Sequence, residues 1–186
     1  KMLIILSWVI VWPVEKIRAM LPEVQTETVT RDELSVLADL AEESDIIEED
    51  EEAVIQNLLR LRDIEIQSIM TPRVVMTCVS VDENVRDVIE RIPIMVYGRM
   101  PVYEGDVDNI KGLVLRSEIL RRAAADEFEP KMLDISRRVY RCRYDDSVDK
   151  ALDILLENKV QILVVKDDFG GTVGLVTMED IIETLL

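Results

Sequence analysis

At 186 residues the chain has room for one or two domains, and its 48% hydrophobic content is ample for a core. With 38 Asp and Glu against 22 Lys and Arg, the net charge of −16 argues against nucleic acid as the main partner, because phosphate backbones are met by basic patches; cations or a basic partner fit better. No histidine is present, and Cys78 and Cys142 stand alone on strand-like segments, which removes zinc sites and Ser-His or Cys-His catalysis.

The chain opens on an almost uninterrupted apolar run, Met2 to Trp12, followed by Pro13 and then Glu15, Lys16 and Arg18. A bilayer takes about 20 apolar residues, so this run alone is too short to span one. No small-residue cleavage site follows it, so it does not read as a signal peptide. Trp8 and Trp12 suit a membrane interface, and a helix packed on a soluble domain is the other reading.

The densest charge cluster comes next: Asp32, Glu33, Asp39, Glu42, Glu43, Asp45 and the run Glu48 to Glu52, with Arg31 as local counter-charge. Its pattern is nevertheless that of folded helix. Thr30 with Glu33 makes a capping box, and Leu34, Leu37 and Leu40 with Ala38 and Ala41 trace an apolar stripe. After a break at Ser44-Asp45, a second helix is expected from about Glu48. Val54, Ile55, Leu58, Leu59 and Leu61 form its buried side, and its acids lie at the positive N-terminal end. The hairpin therefore spans about 30–62 and is expected to pack, with a second copy as one partner whose like charge hard cations would relieve.

From there the chain repeats itself. Gly112-Leu113-Val114-Leu115-Arg116-Ser117-Glu118-Ile119-Leu120 superimposes on Gly174-Leu175-Val176-Thr177-Met178-Glu179-Asp180-Ile181-Ile182. Upstream, Met100-Pro101-Val102-Tyr103 falls on Ile162-Leu163-Val164-Val165, and Asp82-Glu83-Asn84-Val85 on Asp145-Asp146-Ser147-Val148. Each copy reads as β-α-β-β-α, over 63–125 and 126–186. Units of roughly 60 residues bury too little alone, so the two should pack as a pseudo-two-fold α/β (α+β) pair. Cys78 and Cys142 read as buried thiols of a reducing compartment, with a disulfide between them left open.

The closing stretch has chemistry of its own. An apolar strand runs into a helix start that carries the Thr177 hydroxyl and, three residues on, the Asp180 carboxylate. Helix N-termini offer unpaired N–H groups and positive potential to a phosphate, and a carboxylate one turn later can accept from ribose hydroxyls. The same spacing also describes an ordinary capping box with nothing bound.

The repeat pair resembles tandem CBS domains. Ile69-Met70-Thr71-Pro72-Arg73, Tyr97-Gly98-Arg99-Met100-Pro101-Val102-Tyr103 and Asp168-Phe169-Gly170-Gly171-Thr172 through Asp180 resemble those of the cyclin M/CorC family of magnesium/cobalt transporters, over about residues 30 to 186. The resemblance implies ATP with Mg2+ between the repeats. Thr71 would contact the adenosine, Tyr97 would offer an aromatic face to the base, and Arg99 a charge for phosphate. Pro101 would shape the wall, Thr177 would touch phosphate or ribose, and Asp180 would hold the ribose hydroxyls. Leu115 and Glu118 stand at the matching places of the first repeat, so one nucleotide per chain is expected. Gly98 departs from the family, which often has a small hydroxyl residue there. The resemblance also implies a non-enzymatic regulatory module that forms homodimers through its repeats. It would be attached to a transmembrane domain whose end or juxtamembrane helix is residues 1–22, on the cytoplasmic side of the cell membrane. A constitutive dimerisation scaffold with an unused nucleotide site is the alternative.

Overall fold

The computed structural model describes residues 30–185. The membrane or juxtamembrane segment expected over 1–22 lies outside them, and among the described residues no helix is long and apolar enough to cross a membrane. The described residues divide between two units, with the boundary between Leu37 and Ala38.

Helix α1 (Arg31–Glu43) starts at the expected capping box, Thr30 N–H to Glu33 Oε2 at 2.9 Å and Glu33 N–H to Thr30 Oγ1 at 3.3 Å. The break falls where Asp45 turns to φ 55°, a left-handed conformation that Asp tolerates better than most residues. Helix α2 (Glu49–Arg60) follows, with the Glu48 N–H held by Glu51 Oε2 at 3.0 Å. The apolar stripe is the point of correction. Val54, Ile55 and Leu58, expected on the buried side of α2, are exposed, and Leu61, just beyond α2, is covered; along the α1 stripe Leu34, Leu37 and Leu40 are exposed and Ala38 is buried. Periodicity marks a face as apolar; it does not supply the surface that covers it.

Two β-α-β-β-α repeats follow, as the superposition predicts. The first comprises β2 (Val79–Ser80), α3 (Val85–Arg91), β3 (Arg99–Glu104), β4 (Asp106–Leu115) and α4 (Arg116–Ala124). The second comprises β5 (Tyr140–Arg143), α5 (Val148–Asn158), β6 (Ile162–Lys166), β7 (Thr172–Thr177) and α6 (Met178–Leu185). In each the first strand pairs parallel with the second and the second antiparallel with the third, giving sheets ordered β2-β3-β4 and β7-β6-β5. Asn84 and Asp87 close a capping box at the start of α3: Asn84 Oδ1 accepts from the Asp87 N–H and Asp87 Oδ2 accepts from the Asn84 N–H, both at 3.0 Å.

Strand periodicity decides where each side chain goes. Leu163 and Val165 of β6 enter one core with α5, α6 and Leu61. Ile162 and Val164 point the other way, into a separate cluster with Ile110 and Leu113 of β4 and Leu175 of β7. That second cluster joins the two sheets face to face, and each of its fully buried aliphatic side chains contributes about 1.5–3 kcal/mol. Cys142 is buried and Cys78 half-buried, both as free thiols; desolvation raises them to about 12 and about 11.

Connections cross between the repeats in both directions. The segment before the first repeat sends Leu61 and Ile66 into the second repeat's core, and its two-residue strand β1 (Thr71–Pro72) pairs antiparallel with β7, Thr71 opposite Leu175. Reciprocally, Arg137 bridges to Leu113 in the first repeat through two backbone bonds of 2.7 and 2.9 Å. Glycine permits both approaches. A Cβ at Gly174 would lie 2.5 Å from the Thr71 carbonyl oxygen, and one at Gly112 would lie 2.8 Å from that of Arg137.

Candidate functional site

The crossing of β1 onto β7 creates a cleft of about 320 Å³, within the range of small-molecule pockets. Thr71, Tyr97, Arg99, Pro101, Thr177 and Asp180 all line it. They arrive from separate places: Thr71 from β1, Tyr97 from the loop before β3, Arg99 and Pro101 from alternate positions of β3, and Thr177 and Asp180 from the β7–α6 junction. Arg99 and Pro101 share a side of β3 because strand side chains alternate.

At the helix end, the Thr177 N–H and hydroxyl both donate to Asp180 Oδ2, at 2.7 and 2.9 Å, and the Asp180 N–H donates to Thr177 Oγ1 at 3.2 Å. The capping box is therefore real. It leaves Asp180 Oδ1 without a hydrogen bond among the described residues, and it points the first turn of α6 at the cleft. Arg99 is half-buried and makes no ion pair among the described residues. Arg73, Arg91, Arg121 and Arg143, by contrast, are each tied to a carboxylate. A cation left unmatched in so acidic a chain, beside a helix N-terminus, suits a phosphate. Tyr97 is 52% exposed, so a face of its ring is open for stacking.

The remaining lining was not singled out from sequence. Val75, Met76, Ile162 and Leu175 make an apolar wall, and Gln161 and Glu179 add polar groups. The repeat held a signal for two of these, one residue out of step with the superposition: Ile162 lies opposite Thr177 as Arg99 lies opposite Leu115, so Gln161 and Ile162 match Gly98 and Arg99, and all four line the cleft. The opposite position differs in chemistry. Leu115 replaces Thr177, Arg137 stands where Thr71 does, and Glu118 is held by Arg121 at 2.7 Å and Arg122 at 2.8 Å. Those hydrogen bonds, Arg121's first, pull the Glu118 carboxyl down to about 2 and keep it engaged.

The family model of the CBS domain matches residues 61–125 and 133–186. The magnesium and cobalt efflux protein CorC of Pasteurella multocida is 27% identical over 164 residues, 87% of this chain and 54% of that protein. A solved CBS domain of the bacterial CNNM/CorC family Mg2+ transporter, in complex with the inhibitor IGN95a, is 32% identical with a TM-score of 0.78, covering 84% of this chain and 96% of that one. A structure of the CBS domain of the bacterial CNNM/CorC family Mg2+ transporter in complex with ATP is also 32% identical, with a TM-score of 0.68 over 73% of this chain and 96% of its own. The chain spans from 24% to 55% of the length of such curated relatives.

Proposed function

Because this chain belongs to the CBS-domain modules of the CNNM/CorC family of Mg2+ transporters, we propose that it is the regulatory part of a membrane divalent-cation transporter. It takes ATP with Mg2+ in the cleft between its repeats and couples that binding to a two-fold dimer and to an attached transmembrane domain. The observation that carries this reading is the convergence of Thr71, Tyr97, Arg99, Pro101, Thr177 and Asp180 on one cleft at the start of a helix. The complex of a 32% identical relative with ATP supports the choice of nucleotide. Free thiols at Cys78 and Cys142 fit a reducing, cytoplasmic face.

The chemistry divides by region. Tyr97 and the apolar wall take the base, Thr71 and Pro101 bound the sugar side, Asp180 accepts from the ribose hydroxyls, and Arg99 with the Thr177 end of α6 faces the phosphates. Among the described residues no cluster of three or more metal-ligating side chains exists. Mg2+ would be held by the phosphates themselves with few carboxylates, and Glu179 is the acid of the cleft left for it once Asp180 takes the ribose. Its charge would offset that of the phosphates beside these acids. None of these roles requires bond making or breaking, so the module acts by binding, a coupling between distinct sites.

Calorimetry with ATP and Mg2+ tests the reading. Asp180→Ala is expected to weaken binding by about 1–3 kcal/mol, the loss of charge-assisted hydrogen bonds, whereas Glu118→Ala is expected to leave it unchanged. Equal losses would overturn the single-site assignment. No rise in melting temperature at millimolar ATP would hand the protein to the scaffold reading.

A further inference from the structure

Between α3 and β3 the chain runs from Pro93 to Gly98 without regular structure, and this strap brings Val96, Tyr97 and Gly98 to the cleft. It is thinly packed, with Ile94 and Val96 80% and 72% exposed. Met95 packs on the first repeat's core, and the hydrogen bonds that tether the strap come from one residue. Arg116, the first residue of α4, donates its backbone N–H to the Gly98 carbonyl at 3.0 Å. Its guanidinium Nη1 donates to the carbonyls of Met95 and Val96 at 2.8 and 3.1 Å. Arg116 is not itself among the cleft-lining residues.

The second repeat acts as an internal control. Met178 stands at the place of Arg116 and keeps the backbone bond, its N–H to the Gln161 carbonyl at 3.0 Å, but it carries no guanidinium. Nor is there a strap to hold there, since the chain passes from the end of α5 to β6 through Lys159, Val160 and Gln161. The guanidinium clamp occurs where the strap bears an aromatic ring for the cleft.

We propose that Arg116 is a positioning residue for the nucleotide cleft: by pinning the 95–98 strap it holds Tyr97 over the base without touching the ligand. The proposal rests on the nucleotide reading given above, and its physical basis is preorganisation, since a loop already ordered costs less to bind.

The test compares the wild-type chain with Arg116→Met, the residue at the matching place of the second repeat, and Arg116→Lys, whose ammonium can still serve one carbonyl. Without nucleotide, amide hydrogen exchange over residues 94–98 is expected to speed up in Arg116→Met and less in Arg116→Lys. ATP affinity is expected to fall about 3–10-fold in Arg116→Met, the cost of ordering one loop and its side chain on binding. Affinity for ribose 5-triphosphate, which lacks the base, is expected to hold. In a Tyr97→Ala background Arg116→Met is expected to cost nothing more. Unchanged exchange in the strap overturns the proposal, as do equal losses for both ligands or additive losses with Tyr97→Ala. A wild-type chain that ignores ATP would sink the proposed function, while the exchange measurement, made without ligand, would still decide the tether.

Discussion

At the scale of single residues, two glycines, Gly174 beneath β1 and Gly98 on the cleft wall, answer to different constraints. Gly174 is required by contact, because a Cβ there would sit 2.5 Å from the Thr71 carbonyl oxygen and 3.0 Å from the Met70 sulfur. The backbone of β1 cannot give way without leaving β7, so Gly174→Ala is expected to cost about 1–3 kcal/mol in thermal or urea unfolding, as overpacking does. Gly98 has nothing within 4 Å of its would-be Cβ and no left-handed φ. Gly98→Ser is therefore expected to leave the melting temperature unchanged. By adding a small hydroxyl to the cleft wall, it is expected to tighten ATP binding by about 1 kcal/mol, one added hydrogen bond, in calorimetry. Weaker ATP binding in Gly98→Ser would mean that the strap is read wrongly as a ligand wall.

At the scale of elements, α2 is joined to the second repeat rather than to the first. Leu61, one residue past the helix, is 1% exposed and shares a core with Ile181 of α6, and Asn57 Nδ2 donates to the Leu185 carbonyl at 3.3 Å. The same short helix thus carries Thr177 and Asp180 at one end and meets α2 at the other. Leu61→Ala is expected to destabilise the chain by about 2–5 kcal/mol through a buried cavity. Leu58→Ala, at a side chain 51% exposed, is expected to stay within about 0.5 kcal/mol in the monomer. Comparable costs in urea unfolding would show that α2 docks through a different face.

At the scale of the molecule, the apolar side chains left exposed on α1 and on α2 share a stretch of sequence with eleven carboxylates between Asp32 and Glu52. Covering such side chains with a second copy, as proposed for the dimer, brings like charges together. Repulsion between unit charges a few ångströms apart at a surface-like dielectric is on the order of a few kcal/mol before screening, enough to shift an association equilibrium. Millimolar Mg2+ is therefore expected to tighten self-association more than sodium of equal ionic strength. Glu48, Glu49, Glu51 and Glu52 changed together to Gln are expected to mimic it. Sedimentation velocity separates the cases: identical behaviour in the two salts would reduce the carboxylates to a solvated face.

The repeat was legible because its elements are local. Caps such as Asn84 with Asp87, the alternation of Ile162 to Val165 and the strand-to-helix junction at Thr177 depend on residues within a few positions of one another, so the sequence by itself determined the two β-α-β-β-α units. It also placed Thr177 and Asp180 at a helix start. What a chain of letters does not carry is which surface meets which. A two-residue strand such as β1 has no periodicity, and only the packed pair shows it crossing to β7, against a glycine whose missing Cβ makes the space. The exposure of Leu58 was decided the same way, since burial belongs to a pair of surfaces and the periodicity of a helix describes just one. Arg116 was hidden for a related reason: its partners are carbonyl oxygens, which every residue has, so only the tertiary structure could say that these three are the ones it holds.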